Sequence, residues 1–160
     1  MLDRIRKIMD KTLPVIAALF LLVGVSATVI GVADRTFGLN LKTVWAEEVT
    51  RYTIIWCAML LMGIGFRMGT QTRLTLLSER LPEKARKVFE VIVYLLVILM
   101  FGILMIYGFK SAIVNRTQLS AVMQISMFWP YLSVPVGSLF VVIETIGLIY
   151  ETITGKEGER

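Results

Sequence analysis

The chain has 160 residues, of which 56% are hydrophobic and 18% charged, with a formal net charge of +5. A soluble domain of this length carries about 25% charged residues, so the composition excludes a soluble globular enzyme, a disordered tail and a disulfide scaffold. There is no His, which removes His-ligated metals, bis-His haem and His proton shuttles, and the single Cys57 can form neither an internal disulfide nor a Cys-x-x-Cys site.

Four charge-free runs organise the chain: residues 12–33, 52–66, 91–109 and 117–143. A helix crossing the hydrocarbon core needs ~20 apolar residues. The first and third runs meet that need directly. The fourth is long enough to include an outer turn before its helix starts near Met127. The second, at 15 residues, covers only about 22 Å. It must begin near Val44, which brings Glu47, Glu48 and Arg51 into the span. The N-terminal run could be mistaken for a signal peptide, since Val25-Ser26-Ala27 loosely fits a cleavage site. It exceeds the usual ~7–15-residue apolar core, and the reading is an uncleaved first helix. The sequence thus predicts an all-α membrane protein, a single integral membrane domain over residues 1–160, with spans near 12–33, 44–66, 88–109 and 127–149.

Lys and Arg orient these spans. Twelve cations precede the first span, lie between the second and third, or follow the fourth; five (Arg35, Lys42, Arg51, Lys110 and Arg116) lie on the other side. The positive-inside rule places both termini in the cytoplasm. The basic stretch 67–87 then reads as an orientation signal that touches anionic lipid, and no nucleic-acid partner is expected. Leu81-Pro82-Glu83 marks a helix start, with Glu83/Lys87 and Arg86/Glu90 as i,i+4 pairs. A frayed polar tail is expected at 156–160.

Three constellations stand out. In Trp45-Ala46-Glu47-Glu48-Val49-Thr50-Arg51-Tyr52, both acids lie within helical reach of Arg51. The group reads as a structural ion pair rather than a coupling-ion site, with Trp45 and Tyr52 at the headgroup boundary. Glu144, near the inner end of the last span, reads as an interfacial, snorkelling acid rather than a transport residue. In the stretch from Ser126 to Gly137, Ser126 is a candidate N-cap, Trp129 and Tyr131 mark the outer interface, and Pro135 bends the helix by removing the bond to the Tyr131 carbonyl. The spacings Ala27/Gly31, Ser133/Gly137 and Gly65/Gly69 allow close helix approach.

Trp45-x-Glu47-Glu48-x-x-Arg51-Tyr52, the closing Gly63 and Gly65, the Leu81-Pro82 loop and Trp129-x-Tyr131-x-x-x-Pro135-x-Gly137 together resemble the small membrane subunit of tripartite ATP-independent periplasmic (TRAP) transporters, the DctQ-like or Q-type component. The resemblance runs from the first helix to about Gly147. Many members carry a His-Ile-Arg-Val-Asp-like stretch after the second helix. Here Gln71-Thr72-Arg73-Leu74-Thr75 stands there and keeps only Arg73 and the apolar Leu74, so roles of that His and Asp do not transfer.

The resemblance implies a sodium-driven importer in the bacterial inner membrane. A periplasmic binding protein delivers an organic acid of the C4-dicarboxylate or sialic acid type. A large elevator subunit (M-type) holds substrate and sodium, and the small subunit is a scaffold with no cofactor of its own. Arg35, Lys42, Lys110 and Arg116 are then candidates for docking the binding protein. The rival reading is a self-sufficient four-helix exporter acting as a dimer. It needs a mid-membrane carboxylate that the first and third spans lack. An enzyme is not expected, because no nucleophile, base and orienting group can be assembled.

Overall fold

A computed structural model describes residues 2–78 and 82–154. The described residues form four long helices: α1 (Leu2–Phe37), α2 (Val44–Ser78), α3 (Glu83–Val114) and α4 (Phe128–Thr154), with one 3-10 turn at Asn115–Thr117. Each holds a stretch long and apolar enough to cross a membrane. The polar tail expected at 156–160, Leu81, and the side chains of Glu83 and of residues 71–75 lie outside the described residues.

The helices outrun the apolar spans. α1 starts ten residues before the first charge-free run, and α2 continues twelve residues past Phe66. Charged residues at a membrane edge leave the helical backbone intact, so the apolar run measures the hydrocarbon layer and not the helix. At 35 residues, α2 is about 52 Å long, well beyond the ~30 Å core. Pro82 occupies the N-cap of α3, one position before the first helical residue expected for it. The helical assignment of α4 continues through Pro135.

Packing follows the order α1–α2–α4–α3, each helix lying against the next in that series. α4 is therefore central: half of its most apolar stretch is buried, against 22% or less in the other three helices. Two contacts explain how α4 settles so deeply. A Cβ built on Gly137 would lie 2.7 Å from the Met59 carbonyl oxygen, so α2 crosses α4 almost backbone to backbone. On the other side a Cβ on Gly108 would meet the Pro135 ring at 3.1 Å. Pro135 thus fills the α3 seam while its neighbour two residues on opens the α2 seam.

The buried core joins α1 and α2 through Met9, Leu13, Leu60 and Ile64, with Phe140 and Ile143 of α4 packed against it. Phe20 stacks on Trp56 with centroids 6.0 Å apart and planes 11° apart. The outward faces of α1 and α3 remain strongly apolar and uncovered, as at Leu19, Leu22 and Val29 or Leu95, Leu99 and Ile106.

Candidate functional site

The chemistry-bearing side chains gather at the two ends of the bundle. At the end opposite the termini, the α1–α2 turn contains three residues in the left-handed region, Gly38, Asn40 and Lys42. Asp34 stabilises this turn. Its carboxylate accepts the Leu41 N–H at 2.9 Å, the Thr43 N–H at 3.4 Å and the Thr43 hydroxyl at 2.7 Å. An acid that satisfies otherwise orphaned loop N–H groups makes that loop a defined surface.

Glu48 does the same for the connection between α3 and α4. Its two oxygens accept the Val122 and Met123 N–H groups, each at 3.0 Å. The loop is itself pinned by Ser120 N–H to the Ile125 carbonyl at 2.8 Å and Met127 N–H to the Gln118 carbonyl at 2.9 Å. Ser126, expected as the N-cap, lies one position before it, since α4 starts at Phe128; its Oγ still accepts the Phe128 N–H at 3.2 Å. Tyr52 donates to the Met127 sulfur at 3.6 Å.

The ion pairing expected of Glu47, Glu48 and Arg51 is therefore corrected. Both acids are within helical reach of Arg51, but each finds a partner on another element instead. Glu48 turns inward to the loop amides. Glu47 turns outward and pairs with Arg35 of α1. Arg51 is exposed and lies within 4 Å of neither carboxylate. Arg35, foreseen as a free docking cation, is thereby engaged. Lys42, Lys110 and Arg116 are exposed and form no ion pair among the described residues. Trp129 is well exposed, while Trp45 and Tyr131 are partly covered at the same end of the bundle.

The end that holds the termini carries a network that the sequence reading missed. Glu144 is fully buried, and Arg6 is only 2% exposed. Arg6 Nε lies 3.1 Å from Glu144 Oε2, its Nη1 pairs with Glu151, and its Nη2 donates to the Glu144 carbonyl at 2.9 Å. Arg67 of α2 reaches the same Glu144 oxygen at 3.4 Å and Asp10 of α1 at 2.5 Å. Two cations and three acids thus tie α1, α2 and α4 together.

Glu144 is consequently not a snorkelling interfacial acid. Its face of α4 looks into the bundle, where two guanidinium groups replace water. Gly147 makes the approach possible, since a Cβ there would collide with the Arg6 guanidinium. A signal was present: an acid at 144, Gly at 147 and an acid at 151 share one helical face, as do Arg6 and Asp10. Arg6 and Arg67 had been read only as orientation charges. On α3, the foreseen Arg86–Glu90 pair is in place at 2.9 Å.

Neither end assembles a nucleophile with a base, and no group of three potential metal-ligating His, Cys, Asp or Glu residues occurs among the described residues. The arrangement instead fixes helices and loops. Comparison with known proteins gives the same kind of answer. The sequence is 27% identical over 112 residues to the sialic acid TRAP transporter small permease protein SiaQ of Vibrio cholerae serotype O1, a match covering 70% of this chain and 65% of that relative. Residues 24–155 match the family described as tripartite ATP-independent periplasmic transporters, DctQ component, which places the protein among transporter subunits and not among enzymes. Four helices long and apolar enough to cross a membrane, and a family match over most of the sequence, identify the chain as a member of the DctQ family.

Proposed function

We propose that the chain is the stationary small subunit of a sodium-coupled importer for an organic acid, seated against a large elevator subunit and served by a periplasmic binding protein. The observation that carries this reading is that side-chain ion pairs and hydrogen bonds cross-link elements at both ends of the bundle while the flanks of α1 and α3 stay apolar and uncovered. An elevator needs one part that stays in place while another slides. A wall of this kind supplies it. Sodium and substrate bind the large subunit, not this chain. The sialic acid named for the Vibrio relative makes a carboxylated sugar, or a C4-dicarboxylate, the substrate class to test first.

The cation asymmetry of 12 against 5 supports an inner-membrane orientation with both termini in the cytoplasm. The loops held by Asp34 and Glu48 then face the periplasm, and Lys42, Lys110 and Arg116 are the cations free to meet an acidic binding-protein surface. The rival exporter reading is disfavoured by the family match. It also lacks a carboxylate for proton exchange, because Glu144 is held by two arginines.

Reconstitution tests the proposal. Proteoliposomes holding this chain alone, the large subunit alone, both, or both with the binding protein are assayed for sodium-dependent uptake. Uptake is expected only when all three components are present. Uptake by this chain alone overturns the reading.

A further inference from the structure

A groove of about 350 Å³ runs along the α1–α2 seam near the end opposite the termini. Gly31 and Ala46 keep its base shallow. Thr28 and Thr50 line it, but their hydroxyls are engaged: they contact each other at 3.0 Å and donate to the Gly24 and Ala46 carbonyls. The cations at the rim are Arg51 and Arg35. Among the described residues Arg51 forms no ion pair, and Arg35 Nη2 is taken by Glu47 while its other guanidinium N–H groups make no hydrogen bond. With Glu47 the rim carries two positive charges and one negative, a formal sum of +1.

Arg51 sits seven residues into α2, about 10 Å along its axis from the helix start. It is exposed and has no carboxylate within 4 Å among the described residues. Below it the groove gives way to exposed Ile54 on α2 and Val25 on α1, one and two turns farther into the membrane on the same faces as Arg51 and Val32. A cation at this depth requires an anionic counter-charge or water. The layer that meets it supplies phosphates above and acyl chains below.

We infer that this groove is a binding site for one glycerol-headed anionic phospholipid. The phosphodiester lies between Arg51 and Arg35, its single negative charge matching the surplus on the rim. The headgroup hydroxyls donate to Glu47, and the acyl chains follow the Val25–Ile54 track. A trimethylammonium headgroup has no donor for Glu47 and adds a cation to an already positive rim, so the site discriminates against it.

The test is native mass spectrometry on the full-length chain in detergent, titrated with palmitoyl-oleoyl phosphatidylglycerol or the matching phosphatidylcholine. Wild type is expected to retain the first phosphatidylglycerol about fivefold more tightly than phosphatidylcholine, the worth of one interfacial cation. Arg51→Gln brings the two lipids level, and Arg51→Lys restores much of the preference. Val32→Trp fills the groove without altering charge and also abolishes it. Lys110→Gln, a cation elsewhere on the same end, changes nothing. The inference is overturned if Arg51→Gln or Val32→Trp, each checked for unchanged helicity, binds phosphatidylglycerol like wild type. It is equally overturned if Lys110→Gln weakens binding as much as Arg51→Gln, which would mean diffuse surface attraction. Absence of any lipid preference in wild type, with the groove shielded only in the assembled transporter, would make it a protein seam instead.

Discussion

The side chains that define this molecule are charged groups used for tethering. Glu144 and Arg6 are the clearest case. Removing one partner of a buried ion pair leaves an uncompensated charge and costs about 3–5 kcal/mol. Arg6→Ala is therefore expected to destabilise the chain by about 3 kcal/mol in a detergent unfolding titration. Arg6→Ala combined with Glu144→Ala should cost clearly less than the two single losses added, because the double change also removes the stranded charge. Additive losses would mean that the pair contributes nothing as a pair. Glu48 makes a second residue-level claim. Glu48→Gln keeps one acceptor oxygen and loses the other, so one of the Val122 and Met123 N–H groups loses its partner. Hydrogen exchange at those two amides should accelerate, by the loss of a charged hydrogen bond worth about 1.5–3 kcal/mol, while amides within α1 stay unchanged. At this scale the sequence was only half legible. Spacing along one helix showed that Glu47 and Glu48 could reach Arg51, but partners on other helices are invisible to spacing. Arg35, 12 residues before Glu47, and the amides of a loop 74 and 75 residues after Glu48 became neighbours only through the fold.

Helices and their seams were more legible, for a physical reason. Lipid demands an uninterrupted apolar run with its backbone bonds closed inside the segment, and that demand is written residue by residue. The starts of α2 at Val44 and α4 at Phe128 follow from it. Helix ends beyond the membrane do not, since water sets no such condition, and α1 and α2 extend well past the apolar runs. The small-residue spacings were weak signals individually, and the structure sorts them. A Cβ on Gly137 would meet the Met59 backbone, one on Gly31 would lie 3.3 Å from the Ala46 Cβ, and one on Gly65 would have nothing within 4 Å. Gly137→Ala separates packing from propensity. Intrinsic preference favours Ala in a helix by about 1 kcal/mol. The Cβ would nevertheless meet the Met59 carbonyl carbon at 3.0 Å and its oxygen at 2.7 Å, atoms that move only if the whole helix moves. A fall in thermal stability is expected for Gly137→Ala and none for Gly65→Ala. The opposite ranking would show that α2 and α4 are not in close contact there.

For the whole molecule the informative property is the separation of roles between its ends. One end buries Arg6, Arg67 and Glu144 in a network. The other ties down its loops and leaves cations uncovered, and docking should depend on those cations if the proposed function holds. Fields from exposed charges reach about 10 Å at 0.1 M salt and about 3 Å at 1 M. Their main effect on association is on the encounter rate. Docking of the binding protein on the assembled membrane subunits should therefore slow steeply as salt rises, with a much smaller change in the dissociation rate. Lys110→Glu with Arg116→Glu reverses charge beside the α3–α4 loop that Glu48 holds. The low-salt association rate should drop at least tenfold, within the range known for electrostatic steering, and its salt dependence should flatten. Glu47→Gln is the control: it releases Arg35 from its carboxylate and adds net positive charge at the same end, so association should hold or rise. Surface plasmon resonance on nanodisc-embedded complex reads both rates. An unchanged association rate in the charge-reversed variant at low salt would move the docking surface off this subunit and leave it the scaffold role alone.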